Sequence, residues 1–182
     1  MAEHVCPWWV GYLLISPLRR WLQNPEKILS PYISEGMTVL ELGPGMGFFT
    51  IPAARMVGNS GRVIAIDVQE RMLKALARRA HKAELSGRIV TKLCGPASIG
   101  ISDPIDLCLA LYVVHEVPDA ASLFSQIKNI LKPTGKLLLS EPSGHVSEEE
   151  FQRTLALASE AGFKVVGKPE IKRSRSVLLA IS

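Results

Sequence analysis

The chain has 182 residues, 47% of them hydrophobic and 21% charged, a balance that excludes a disordered or fibrous protein and fits one domain with its own core. Net charge is +4 with a sequence pI near 9.1, which permits nucleic-acid binding without arguing for it, because no long Lys/Arg run exists. Cys6, Cys94 and Cys108 are too far apart for a metal spacing or a disulfide framework, so no metal is expected and a reducing, cytoplasmic setting is the default.

Residues 1–37 have a character of their own. Trp8, Trp9 and Trp21, the only tryptophans, lie here with Tyr12 and Tyr32. The apolar stretch 5–18 is too short to span a bilayer and is interrupted by Pro7 and Pro17, so no transmembrane segment is expected. An acidic residue and no Lys or Arg precede it, which makes a poor signal peptide. One or two short helices are expected over 18–29, broken at Pro25. The segment reads as an aromatic, helical lid or cap over the domain that follows. Ordinary core packing, a homodimer contact, and an interfacial membrane contact helped by Arg19 and Arg20 are the other readings.

From Thr38 to the end, strand-like and helix-like segments alternate. A short apolar strand is predicted over 39–42, a helix over 49–57 and a second strand over 62–66 ending at Asp67. The helix over 71–83 carries Met72, Leu73, Leu76, Ala77 and Ala80 on one face. A third strand follows over 88–93 and a fourth, nearly all apolar, over 105–112; such a run fits a parallel strand covered on both sides. Asp119 caps a helix over 120–131, and Lys132-Pro133-Thr134-Gly135 forms a turn into a fifth strand over 136–140. Ser147 with Glu150 forms a capping box for a helix that Gly162 ends. Two last strands, 163–166 and 177–180, are joined by too short a loop to be parallel. The expectation is an α/β fold: a Rossmann-like seven-stranded sheet, mostly parallel with an antiparallel last strand, and helices on both faces between the first six strands. Residues 38–182 form the ligand-binding domain.

Three motifs carry chemistry. The first runs Glu41-Leu42-Gly43-Pro44-Gly45-Met46-Gly47 between a strand and a helix. Glycines there let the backbone turn tightly and approach a ligand. The spacing is not the Gly-x-Gly-x-x-Gly of dinucleotide-binding loops, and the Glu41 carboxylate would repel a pyrophosphate, so an NAD-dependent dehydrogenase is a distant reading. A carboxylate suits an ammonium or sulfonium group instead. The second motif is Asp67, placed to accept hydrogen bonds from ribose hydroxyls, with Val68 and Gln69 beside it to line an adenine face; the bland reading is a cap on the next helix. The third is Leu111-Tyr112-Val113-Val114-His115-Glu116 after the fourth strand, at the sheet edge where ligands bind. His115 is a general-base candidate there, against a histidine packed in its loop.

Together Glu41, the glycine loop and Asp67 resemble a class I S-adenosylmethionine-dependent methyltransferase, over roughly residue 38 to the C-terminus. The resemblance implies that Gly43, Pro44, Gly45 and Gly47 hold the methionyl part of S-adenosyl-L-methionine, with Glu41 supporting its amino group directly or through water. It implies that Asp67 takes the ribose hydroxyls and that Leu111 and Tyr112 border cofactor or substrate. The family often has Gly-Asp-Ala after the third strand, whose carboxylate accepts the adenine amine; here the residues are Gly95-Pro96-Ala97, leaving backbone groups or apolar packing for that role. A small-molecule acceptor is the leading expectation. RNA or protein methylation is the alternative, motivated by Lys164, Lys168, Lys172, Arg173 and Arg175 near the terminal hairpin. A cofactor-binding partner subunit without catalysis is the third.

Overall fold

The computed structural model describes residues 23–182. The expectations that rest on Cys6, Trp8, Trp9, Tyr12 and Trp21, the aromatic lid and the homodimer contact among them, lie outside the described residues. Strand order in the seven-stranded sheet is β3-β2-β1-β4-β5-β7-β6. The chain divides into two compact units, one ending at Cys94 and the other covering Gly95–Ser182.

The first unit opens with α1 (Pro25–Leu29), where proline at the helix start is harmless and Asn24 accepts the Lys27 N–H at 3.0 Å. Then come β1 (Thr38–Leu42), α2 (Thr50–Met56), β2 (Arg62–Asp67), α3 (Glu70–Lys82) and β3 (Ile89–Leu93). β1 pairs with β2 and β2 with β3, both in parallel. Val39, Leu40, Val63, Ile64, Ala65 and Ile66 are all buried, so both faces of β1 and β2 are covered; burying each larger side chain stabilises the fold by about 1.5–3 kcal/mol. β3 stands at the end of the strand order, and its Val90 and Leu93 are exposed. The inward stripe of α3 is Met72, Leu73, Ala75, Leu76 and Ala80. Ala75, not Ala77, completes it: Ala75 is buried against Met46 and Met72, and Ala77 is exposed.

The second unit holds β4 (Ile105–Leu111), α4 (Ala120–Ile130), β5 (Leu131–Pro142), α5 (Glu148–Glu160), β6 (Phe163–Gly167) and β7 (Ser174–Ile181). β4 and β5 are parallel, and β7 runs antiparallel to both β5 and β6. Asp119 and Ser147 cap their helices as expected, the latter within a complete capping box. Two expectations fail. No helix joins β3 to β4: residues 94–104 form an irregular loop with one bridge between Gly95 and Ser98, in keeping with Gly95, Pro96, Gly100 and Pro104 within it. β5 also outruns its predicted range at both ends. The 132–135 turn survives as a bulge, since Ile105 pairs with Leu131 but Leu107 pairs with Lys136. At the other end, Glu141 and Pro142 still pair with β7.

Candidate functional site

In the first unit, β1 ends in a loop whose Gly43, Gly45 and Gly47 all have positive φ. That conformation is accessible to glycine and strained for other residues. Gly43 N–H donates to the Ile66 carbonyl at 2.9 Å, which ties the loop to the end of β2. Arg79 of α3 donates to the Met46 carbonyl, and Met46 packs against Met72 and Ala75, so the loop is backed by a helix. At Gly45 a Cβ would meet nothing within 4 Å among the described residues. The backbone there borders open space, as a ligand approaching the main chain requires.

Two carboxyl groups stand at the carboxyl ends of β1 and β2. Glu41 is 3% exposed, and burial pushes its carboxyl up to about 7. The Thr50 hydroxyl beside it acts the other way, and the nearby Asp67 charge raises it further. That Thr50 approach falls short of a hydrogen bond: Glu41 Oε2 and Thr50 Oγ1 are both buried without a partner. A buried carboxylate oxygen with no donor is costly. An ammonium group beside Glu41 would meet that demand, so the residues present fit the cationic end of S-adenosylmethionine.

Asp67 is differently placed. Burial again raises its carboxyl, while the N–H groups of Gln69, Gly45 and Val68 lower it. The Gln69 N–H bond is 2.8 Å. Asp67 does not cap α3, whose N-cap is Gln69 with no side-chain cap bond. It instead ties the glycine loop to the end of β2. Val68 is 42% exposed, which leaves an apolar surface beside it. Cys94 N–H donates to the Asp67 carbonyl at 3.0 Å, and burial first, then the Asp67 charge, pushes its thiol up.

In the second unit, Gly95, Pro96 and Ala97 are exposed. The adjoining turn is held from α4 by Gln126, which donates to the Ala97 carbonyl and accepts the Ile99 N–H, both at 3.0 Å. Leu111 is buried at the end of β4. Tyr112 takes a positive φ of 66°, unusual for its type, while its N–H still reaches the Ser140 carbonyl at 2.7 Å. The chain then leaves the sheet in a 3₁₀ turn, Val114–Glu116. This exit sets His115 against Glu141, the penultimate residue of β5. His115 Nδ1 lies 2.6 Å from Glu141 Oε2, and its backbone N–H donates to Oε1 at 3.2 Å. Glu141 is 1% exposed, whereas the His115 side chain is 31% exposed. The bond to Glu141 holds the imidazole above its ordinary pKa, against the opposing effect of burial. Glu116 is farther, 4.0 Å from His115 Nε2.

Sequence reasoning singled out His115 and missed Glu141, because the fifth strand was expected to end at Ser140, two residues before its end at Pro142. Gln126 was missed too, since a polar residue in a helix carries no signal of a contact 29 positions away. The only sign of Glu141 was an acidic residue before Pro142 at a strand end. Among the described residues no cluster of His, Cys, Asp and Glu is arranged to hold a metal. No helix among them is long and apolar enough to cross a membrane.

A family model described as a methyltransferase domain matches residues 33–173. The crystal structure of a SAM-dependent methyltransferase from Aquifex aeolicus superimposes with a TM-score of 0.88 at 26% identity, covering 98% of this chain and all of that one. A glycopeptide N-methyltransferase, MtfA, crystallised with sinefungin, gives a TM-score of 0.69 at 16% identity over 87% of this chain and 85% of that one, which shows the shared fold. In sequence, the ubiquinone/menaquinone biosynthesis C-methyltransferase UbiE of Enterobacter sp. (strain 638) is 28% identical over 117 residues, 64% of this chain and 47% of that protein. The chain thus spans about half the length of the curated relatives it matches.

Proposed function

The chain belongs to the methyltransferase domain family, a class that uses S-adenosylmethionine, and from that premise we propose that it moves a methyl group to a small-molecule acceptor. The observation that carries the cofactor end is the unpartnered, buried Glu41 oxygen beside a glycine loop that leaves open space at Gly45. In this reading Glu41 receives the amino group of the methionyl part, and Gly43, Pro44, Gly45 and Gly47 let that part lie against the backbone. Asp67 receives the ribose hydroxyls, with Val68 and Gln69 beside the adenine. Gly95, Pro96 and Ala97 contribute backbone and ring surface to the same base, since Pro96 has no acceptor to offer its amine. When bound, the cofactor supplies a methyl group already activated by its sulfonium, so positioning the acceptor provides much of the acceleration.

One member of the terminal basic cluster, Arg175, supports a small acceptor over RNA. Arg175 is committed to Glu148 at 2.8 Å and to the Ser143 and Val146 carbonyls. Its guanidinium closes the start of α5 instead of standing free for phosphate. The UbiE name supports an acceptor of quinone-precursor size. A reducing compartment, the cytoplasm, suits the free thiols of Cys94 and Cys108.

Calorimetric titration of the full chain with S-adenosylhomocysteine tests the cofactor assignment. Saturable micromolar binding is expected, and no heat at millimolar ligand would remove it. Binding of a generic RNA with a steep salt dependence would move the acceptor assignment toward nucleic acid.

A further inference from the structure

We propose that Glu141 is a positioning residue that locks the His115 imidazole with its proton on Nδ1, leaving Nε2 as the free basic nitrogen for an acceptor that loses a proton on methylation. The inference deepens the methyltransferase reading and rests on it. Its structural part stands on the second unit alone.

Glu141 meets His115 twice: Oε2 lies 2.6 Å from the ring Nδ1 and Oε1 takes the backbone N–H at 3.2 Å. An ionised carboxylate only accepts, so the nitrogen facing it must carry the hydrogen. In the neutral ring the lone pair then falls on Nε2. The carboxylate itself is fixed, because Glu141 is buried on a strand paired with β7. Across that ladder Arg175 faces Glu141 in register, but its guanidinium is taken up by Glu148, Ser143 and Val146. The charged groups bearing on the ring are therefore Glu141 and, more weakly, Glu116. Both favour the protonated ring once a proton arrives, which strengthens Nε2 as a proton acceptor.

The acceptor class follows. A hydroxyl or an acidic carbon sheds a proton as its electron pair forms the bond to the methyl carbon. The carbon–sulfur bond breaks with its pair going to sulfur, turning the sulfonium into a neutral thioether. The acceptor's proton passes to Nε2 and the resulting imidazolium is paired with Glu141. An acceptor already anionic at neutral pH has no use for this arrangement.

Long-range ¹H–¹⁵N NMR of the labelled full chain reads the ring directly, with H115Q identifying the signals. The wild-type ring is expected in the Nδ1–H form, titrating above the ordinary histidine range. E141Q makes a sharper test. Its amide oxygen satisfies the His115 N–H, which turns the NH₂ toward Nδ1 and drives the proton to Nε2. The titration should fall toward the ordinary histidine range, while E116Q keeps the tautomer. With whichever of a catechol and a naphthoquinol accepts methyl, E141Q should lower kcat/KM roughly 10²-fold and KM little. An Nε2–H tautomer in the wild type would overturn the proposal even if E141Q failed to fold. So would unchanged ring signals and kcat/KM in E141Q. The NMR arm needs neither cofactor nor acceptor; absent S-adenosylhomocysteine binding would sink the methyltransferase reading while the tautomer result stood.

Discussion

At the residue scale, Glu41 is a buried carboxyl with an unpartnered oxygen, proposed to meet the cofactor's amino group. Its carboxyl titrates near 7 in the folded chain against about 4.5 unfolded, so the shift is upward. The stability it contributes is complete below the unfolded value and is lost as pH rises through 7. Across that window the loss is on the order of 3 kcal/mol for the ligand-free protein. Urea unfolding at pH 5 and pH 8 should show E41Q gaining on the wild type at the higher pH. Ligand binding runs the other way. An ammonium group needs the ionised carboxylate, so S-adenosylhomocysteine affinity should rise with pH up to about 7 and then level off. E41Q should abolish that rise and weaken binding by roughly 10- to 100-fold, the loss of one charge-assisted hydrogen bond. Asp67→Asn retains a hydrogen-bonding side chain, yet it loses the charge that accepts N–H groups from Gly45, Val68 and Gln69. Calorimetry should show at least a tenfold weaker complex, since both loop order and the proposed hydroxyl acceptor suffer.

At the scale of single elements, α3 shows how a one-position error in a face changes a prediction. Ala75 is buried against Met46 and Met72, whereas Ala77 is exposed. Ala75→Leu should cost about 1–3 kcal/mol by overpacking, and Ala77→Leu should stay within roughly 0.5 kcal/mol. Urea midpoints of the two variants check this. The capping box on α5 gives a second case: Ser147→Ala removes the acceptor for the Glu150 N–H and should cost about 1 kcal/mol. On the loop after β3, Gln126→Ala removes both bonds that pin Ala97 and Ile99. The Ile99 amide should then exchange its hydrogen faster, with little change in global stability. These helices and most strand boundaries were legible in the sequence because their signals are local. An apolar period, an Asp or Ser cap and a glycine stop need only a few neighbours to act. The loop between β3 and β4 and the bulge in β5 were not, since each depends on what the partner strand does.

For the whole molecule, cofactor binding and stability are one measurement. S-adenosylhomocysteine at a hundred times its dissociation constant should add about 2.7 kcal/mol, which for a chain of this size raises the melting midpoint by roughly 5–10 °C. E41Q should flatten that response at pH 8. What the sequence determined by itself was the fold class and the cofactor. Alternating apolar strands and amphipathic helices specify a mostly parallel sheet, and Glu41 two residues before Gly43, with Asp67 ending the next strand, marks a cationic nucleoside ligand within one βαβ unit. Those signals lie within a short stretch of chain, so local order is enough to read them. The pairing of His115 with Glu141 was decided only by tertiary structure. The two residues are 26 positions apart, and they meet because β4 and β5 lie side by side and Tyr112 turns the chain off the sheet at their common end. Register between strands is a property of the packed sheet, which no single segment of sequence contains.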